Sequence, residues 1–306
     1  MKMKLKIIHL LSVCAALALG PAAREAAAQE SPTLRKIAET GLVTIGFRDK
    51  SIPFSYLDKQ RPIGYSIDIC LHVVDAVRAR LKQPDIEVVY RPATSASRMA
   101  LVANGIIDLE CGSTTNTVER QREVAFSVTT FVASNSLVTK KANGFNSLAQ
   151  LRGQTVVSTA GGTPVKGLLE LNRALGLELR VITAKDNVDS FNLLETDRAA
   201  AFAMDDALLY GLVADARNPQ DYLIYHADMS VEPYGIVLRK DDPVFKKLVD
   251  DAIVGLYRSG AITQLYRKWF LTPIPPKQIL LNLPMSPALK KLLSAPTDSA
   301  DPAAYR

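Results

Sequence analysis

The chain carries little of what would tie it to a metal, a nucleotide or a membrane span. Its 306 residues include three cysteines, three histidines and one tryptophan. His9, His72 and His226 show no ligand spacing, so no metal site is expected. No G-x-x-x-x-G-K followed by Ser or Thr occurs, and no G-x-G-x-x-G, which excludes the common phosphate-cradling loops. G-x-S-x-G is also missing, and His72 and His226 have no motif around them, which argues against Ser-His-Asp chemistry. Basic residues are scattered among acids without interleaved aromatics, so no nucleic-acid partner is expected. Beyond the N-terminal region no apolar run approaches the roughly eighteen residues of a spanning helix. Cys70 falls in an expected helix and Cys111 at a strand end. Two cysteines make no framework, so two buried thiols are preferred over the pairing that an oxidising compartment would allow.

What is present starts with an export signal. Lys2, Lys4 and Lys6 precede the apolar run Ile7 to Leu19, which is too short to span a bilayer, and Ala26-Ala27-Ala28 supplies a small-residue cleavage site. A signal peptide over residues 1–28, cleaved after Ala28, and a soluble periplasmic chain are expected. Cys14 follows Val13 rather than a small residue, against a lipoprotein. Losing Lys2, Lys4, Lys6, Arg24 and Glu25 changes the formal charge from +6 to +3.

The remaining 278 residues exceed a typical domain, so two lobes are expected. Strand Leu42 to Phe47, a helix at Ile67, Cys70, Leu71, Val74, Val77 and Leu81 behind Ser66 as N-cap, strand Glu87 to Tyr90, helix Ser95 to Asn104 and strand Ile106 to Cys111 alternate as β-α-β-α-β. That alternation calls for a parallel sheet with right-handed crossovers. A second copy runs from strand Thr155 to Ser158 through helix Pro164 to Leu175, strand Leu179 to Thr183, helix Val188 to Leu194 and strand Ala199 to Met204 to helix Ala207 to Ala216. After a polar stretch come Tyr234 to Leu238, helices Pro243 to Ser259 and Ile262 to Phe270, a short helix near Ser286 to Leu293, and an end read as disordered. Residues 29–133 and 235–306 are assigned to lobe 1 and residues 134–234 to lobe 2, with a cleft between two α/β lobes joined by two hinge strands.

Ligands of open parallel sheets bind beyond the carboxyl ends of the strands. There lobe 1 offers Arg48, Ser51, Ser95 and Arg98, with the hydroxyls of Ser113, Thr114 and Thr115 ahead of Arg120. A guanidinium fork with hydroxyl donors is a carboxylate clamp in outline. Lobe 2 offers Ala160 to Pro164, Lys185, Asp186, Asn187, Asp205 and Asp206. Gly161-Gly162 before Pro164 would expose amides at a helix start, an anion-binding arrangement or a plain tight turn.

IPFSYLD (Ile52 to Asp58), ECGSTTN with VERQ (Glu110 to Gln121), AKD with DSF (Ala184 to Phe191), MDDALL (Met204 to Leu209), YG with LRKDDP (Tyr234 to Pro243) and KWF with PIPPK (Lys268 to Lys277) occur in order through most of the chain. In these the chain resembles the type II periplasmic solute-binding proteins of polar amino acid ABC transporters, in their glutamate/aspartate-binding branch. The resemblance implies that Arg120, with Ser113 and Thr115, holds a ligand α-carboxylate and that Asp205 holds its ammonium. It also implies that Arg48 and Arg98, with Ser95, receive a side-chain carboxylate. Those two arginines, taken as unmatched by a nearby acid, favour an acidic ligand over glutamine or a lysine-like one. Asn187 stands where that branch has histidine, and Gly161-Gly162-Thr163 replaces its G-T-T, which leaves an amide ligand such as glutamine or asparagine as the alternative. Closure is expected to bring Asp205 and the Gly162 and Thr163 amides onto a ligand already held by lobe 1. A membrane permease is the expected partner, with no cofactor, no enzymatic activity and a monomeric state. The rival of another class is a dehydratase on the same fold, which would need a carboxyl poised as general acid.

Overall fold

The structure, a computed structural model, describes residues 31–305, without the side chains of residues 227–229. The expected signal peptide lies outside the described residues. Helix α1 (Pro32–Thr40) starts where the Ser31 hydroxyl accepts the Leu34 amide and stops at Gly41 in the left-handed region. Strand β1 (Leu42–Phe47) leads into a small antiparallel sheet for which no strands are expected from the sequence: β2 (Lys50–Ser51), β3 (Ser55–Asp58) and β4 (Arg61–Ile63). Helix α2 (Tyr65–Leu81) is entered from Gly64 rather than from Ser66, whose hydroxyl instead donates to the Gly112 carbonyl. Strand β5 (Glu87–Pro92), helix α3 (Arg98–Ala103) and strands β6 (Leu109–Glu110) and β7 (Val124–Phe126) follow.

The chain then passes along β8 (Phe131–Lys140) into the second lobe: β9 (Thr155–Thr159), α4 (Pro164–Leu175), β10 (Arg180–Ala184), α5 (Asn187–Glu195), β11 (Ala201–Asp205) and α6 (Asp206–Asp215). It returns along β12 (Tyr222–Tyr234) to β13 (Val237–Arg239), α7 (Pro243–Arg258), α8 (Ala261–Phe270) and α9 (Pro287–Ser294). One sheet has the order β5-β1-β6-β13-β7 and the other β10-β9-β11-β8-β12. Within each, the β-α-β strands pair in parallel, and the returning strands add antiparallel neighbours. Strands β8 and β12 pair antiparallel from Tyr222 opposite Lys140 down to Tyr234 opposite Phe131, with a register shift between His226 and Val231. They form the two crossings between lobes.

Apolar periodicity explains the packing. Ile67, Cys70, Val74 and Val77 of α2 are at most 1% exposed, and each buried aliphatic side chain of this kind contributes roughly 1.5–3 kcal/mol. At the foot of the crossings Phe54, Tyr65, Phe131, Tyr234, Tyr266 and Phe270 form one aromatic cluster, with ring centres from 4.4 to 6.4 Å apart in the pairs that touch.

Two expectations are corrected. Cys70 and Cys111 form a disulfide rather than two thiols, because α2 packs its Cys70 face against the end of β6 at a Cα separation of 6.3 Å. The C-terminal end is ordered rather than loose: Thr129 donates to the Thr297 carbonyl, and Tyr305 is buried among core residues. Sequence polarity misleads there because the segment is held by hydrogen bonds and by one buried aromatic, Tyr305, rather than by a periodic apolar face.

The lobes touch across the cleft. Lys50 lies 3.2 Å from Asp186 and Lys277 2.7 Å from Asp215. Partly exposed pairs like these contribute about 0–1 kcal/mol each. Two glycines allow the closest approaches. A side chain at Gly161, already at φ +77°, would sit 2.8 Å from the Ser95 carbonyl oxygen, and one at Gly211 would sit 2.5 Å from that of Ile52.

Candidate functional site

The cleft is a small cavity lined by Arg48, Ser95, Arg98, Ser113, Thr115, Gly162, Thr163, Asn187 and Asp205, together with Met204 and Leu208, whereas Arg120 is not part of the lining. From the first lobe, Arg48 follows β1, and its backbone is fixed by exchange of hydrogen bonds with the Ser55 hydroxyl. Its Nη2 donates to the Ser95 hydroxyl at 2.9 Å, while its Nε is buried without a protein partner. Arg98, the first residue of α3, donates through Nη1 to the Ser113 carbonyl at 3.4 Å, and its Nε is likewise unpartnered. The loop after β6 alternates: Ser113 and Thr115 face the cavity, whereas Thr114 turns inward and donates to Glu110 Oε2 at 2.7 Å. Thr114 therefore does not face the cavity. Arg120 sits at the rim, donating to the Thr115 carbonyl at 2.8 Å and, across the lobes, to the Gly161 carbonyl at 3.0 Å.

From the second lobe, Asp205 ends β11 with 1% exposure. The Tyr234 hydroxyl donates to its Oδ2, and its Oδ1 is buried without a partner. Buried polar atoms left unpaired on Arg48, Arg98 and Asp205 are what a polar ligand would satisfy. Asn187 opens α5, whose cap is Asp186. Its Oδ1 accepts from the Thr159 hydroxyl at 2.8 Å, which leaves its amide NH2 as the donor. Gly162 departs from expectation, since its N–H donates within the turn to the Thr159 carbonyl. The Thr163 hydroxyl is taken by Glu232 Oε2 at 2.7 Å. Of the other residues gathered from the sequence, Lys185 faces solvent, Ser51 is buried away from the cavity lining, and Asp206 accepts the Ser134 and Ala207 amides.

Sequence reasoning missed the carboxylates behind the site. Glu110 is fully buried, its Oε1 packed at Gly112 beside the Arg48 side chain, so Arg48 is not without a neighbouring acid. Glu232 receives Asn135 and Ser230 as well as Thr163. Glu110 was visible at the head of E-C-G-S-T-T, whereas Glu232 lies in a stretch read as a polar crossing and gave no signal.

These charges bear on one another. Burial first, then the neighbouring Arg98, pulls both Arg48 and Arg120 down to about 10; Glu110 opposes this at Arg48, and Glu232 and Asp205 at Arg120. Burial, then Glu232, pushes the Asp205 carboxyl well above the usual carboxylate range, against the Tyr234 hydrogen bond and Arg120. A cation entering beside Asp205 and an anion entering among the arginines would each relieve an electrostatic cost already built into the fold.

Known proteins share this arrangement of lobes. The chain is 47% identical to a Pseudomonas aeruginosa protein named L-glutamate/L-aspartate-binding protein, over 88% of this chain and 89% of that one. It is 46% identical to the glutamate/aspartate import solute-binding protein of Escherichia coli K12, over 91% and 92%. A solved structure, an ancestral arginine-binding protein bound to glutamine, superposes with a TM-score of 0.67 at 25% identity, covering 75% of this chain and 98% of that one. Residues 43–272 match the family described as bacterial extracellular solute-binding proteins, family 3, and the chain belongs to that family.

Proposed function

We propose that this protein captures an acidic amino acid, L-glutamate or L-aspartate, in the periplasm and delivers it to the permease of an ABC importer. The observation that supports this most directly is that Arg48 and Arg98 line one cavity with Asp205, while Arg120 stands at its rim beside Thr115. A zwitterion with a second carboxylate is the complement of that pattern. Arg120 with Ser113 and Thr115 takes the α-carboxylate, Asp205 takes the ammonium, and Arg48, Ser95 and Arg98 take the side-chain carboxylate. Asn187 and Thr163 close from the second lobe. The names of the two bacterial relatives agree with this reading.

The protein acts as a monomer exported by residues 1–28, with residues 29–133 and 235–306 as lobe 1 and residues 134–234 as lobe 2. Capture without chemistry on the ligand is supported by the names of the two relatives, both binding proteins. Charge-assisted bonds of about 1.5–3 kcal/mol each, after ordering and desolvation costs, leave about 8 kcal/mol, a micromolar affinity. Calorimetric titration of refolded, ligand-stripped protein tests this. Binding of L-glutamate or L-aspartate at least about tenfold tighter than L-glutamine is expected from the two unpartnered arginine Nε groups; a preference for L-glutamine would mean that Asn187 has redefined the pocket. Small-angle scattering should also show compaction on adding the tighter ligand, since the Arg120–Gly161 and Lys50–Asp186 contacts must part for entry. Identical profiles would rule out a clamshell.

A further inference from the structure

The family match ends at residue 272, yet the chain beyond it returns to the site. After α9, the Thr297 carbonyl accepts the Thr129 amide at 2.8 Å, just ahead of crossing strand β8. The Asp298 carbonyl accepts from Asn116 Nδ2 at 2.8 Å and Gln121 Nε2 at 3.4 Å, and Gln121 also donates to Asn116 Oδ1 at 2.9 Å. Asn116 and Gln121 bracket the segment that carries Arg120. The other side of that segment is held by β12 and its exit, where the Asn116 amide donates to the Pro233 carbonyl and the Gly235 amide to the Thr114 carbonyl. Lys246 pairs with the Asp298 carboxylate at 2.9 Å. The Tyr305 hydroxyl donates to the Ser299 carbonyl at 2.6 Å and lies 2.7 Å from the Thr129 hydroxyl, with the residue 4% exposed.

We infer that residues 295–305 are a strap that positions Arg120: they fix both ends of its loop and the entry to β8, so that the guanidinium is aimed before a ligand arrives. This rests on the reading of Arg120 as the α-carboxylate partner. Preorganisation of a charged donor acts on affinity more than on fold, because an arginine free to swing must be ordered when the ligand binds. Arg120 meets the part common to all α-amino acids, so loss of the strap should weaken different ligands equally. The strap is a positioning element and touches no ligand itself.

The test compares three forms of the protein by calorimetry with L-glutamate and L-aspartate: the chain ended after Ala295, Asn116→Ala, and Arg120→Ala. The first two are expected to bind both ligands about three- to tenfold more weakly with their ratio unchanged, and to exchange the amides of residues 116–121 faster. Parental affinity and exchange in Asn116→Ala, while Arg120→Ala loses binding, would overturn the strap and leave the clamp intact. Parental affinity in Arg120→Ala would overturn the clamp reading, and the strap with it. Should the shortened chain fail to fold, Asn116→Ala and Tyr305→Phe decide. A shifted ligand ratio would also overturn the inference, since it would place the effect on the side-chain subsite.

Discussion

Asp205→Asn should weaken L-glutamate binding by about a hundredfold and, at the same time, raise the stability of the ligand-free protein at neutral pH. Removing one partner of a buried charge pair costs about 2–5 kcal/mol, and the lower part of that range is already a hundredfold. The opposite sign for stability follows from linkage. Burial, then Glu232, holds the folded Asp205 carboxyl well above its ordinary value. Its contribution to stability is therefore fully present below about pH 4, where the unfolded carboxyl is protonated, and is lost as pH rises through the raised folded value. Asparagine has no such slope. In the proposed complex an ammonium beside Asp205 would favour the ionised form and reverse the preference. Capture then releases a proton, and affinity rises with pH over the same window. Asp206 is raised as well, again by burial, but its amide partners, Ser134 and Ala207, belong to the fold and not to the cavity. Calorimetry in buffers of different ionisation enthalpy reads the proton directly. If Asp205→Asn kept parental affinity with an unchanged pH profile, the ammonium would have to sit elsewhere.

Breaking the Cys70–Cys111 bond should lower stability by about 4 kcal/mol, the chain-entropy value for a closed loop of this length; the cysteines stand 41 residues apart. For a protein of this size that is a fall in melting temperature of about 10 °C. The loss should not be confined to stability. Cys111 is followed by Gly112 and Ser113, where Arg98 finds its carbonyl acceptor and Arg48 packs beside Glu110. The bond anchors the floor of the arginine cluster to α2. Scanning calorimetry of the oxidised protein, the reduced protein and a Cys70→Ala, Cys111→Ala double variant measures the first effect, and ligand titration of the folded double variant the second. Superimposable melting curves would mean that packing alone holds α2 to the end of β6.

The sequence was most legible where periodicity was strong. Helix Pro164–Leu175 was read to the residue, because proline at its start and glycine after its end are backbone constraints. The α7 helix was placed to within one residue for a similar reason, with Pro243 at its start and Asp242 as cap. Short pieces failed. Strand β6 has two residues where six were expected, and the β2–β4 sheet was not anticipated, since strands of two to four residues carry no period. Strand β12 was expected only as one of the two hinge strands, and its length was missed because its polar residues, Ser230 and Glu232 among them, pair with Asn135 and Thr163 instead of solvent. At the site the arginines and Asp205 could be named from residue type and strand ends. Residue type alone does not divide the labour among the three hydroxyls, because it does not show that Thr114 turns toward Glu110; the choice of Ser113 and Thr115 came from the resemblance. Glu232 was out of reach for the same reason: its partners come from β8 and the α4 turn, and its role exists only in three dimensions.

Gly161 and Gly211 give the two lobes a defined end point. With hydrogen in place of a methyl group at both positions, the backbone of the second lobe lies against the carbonyls of Ser95 and Ile52. The dimension of the shut cleft is therefore set by main-chain atoms, which cannot rotate away as side chains do. That makes closure behave as a calliper: an amino acid is measured against a fixed gauge, and substitutions among the lining side chains change what fits between the jaws without changing how far the jaws travel.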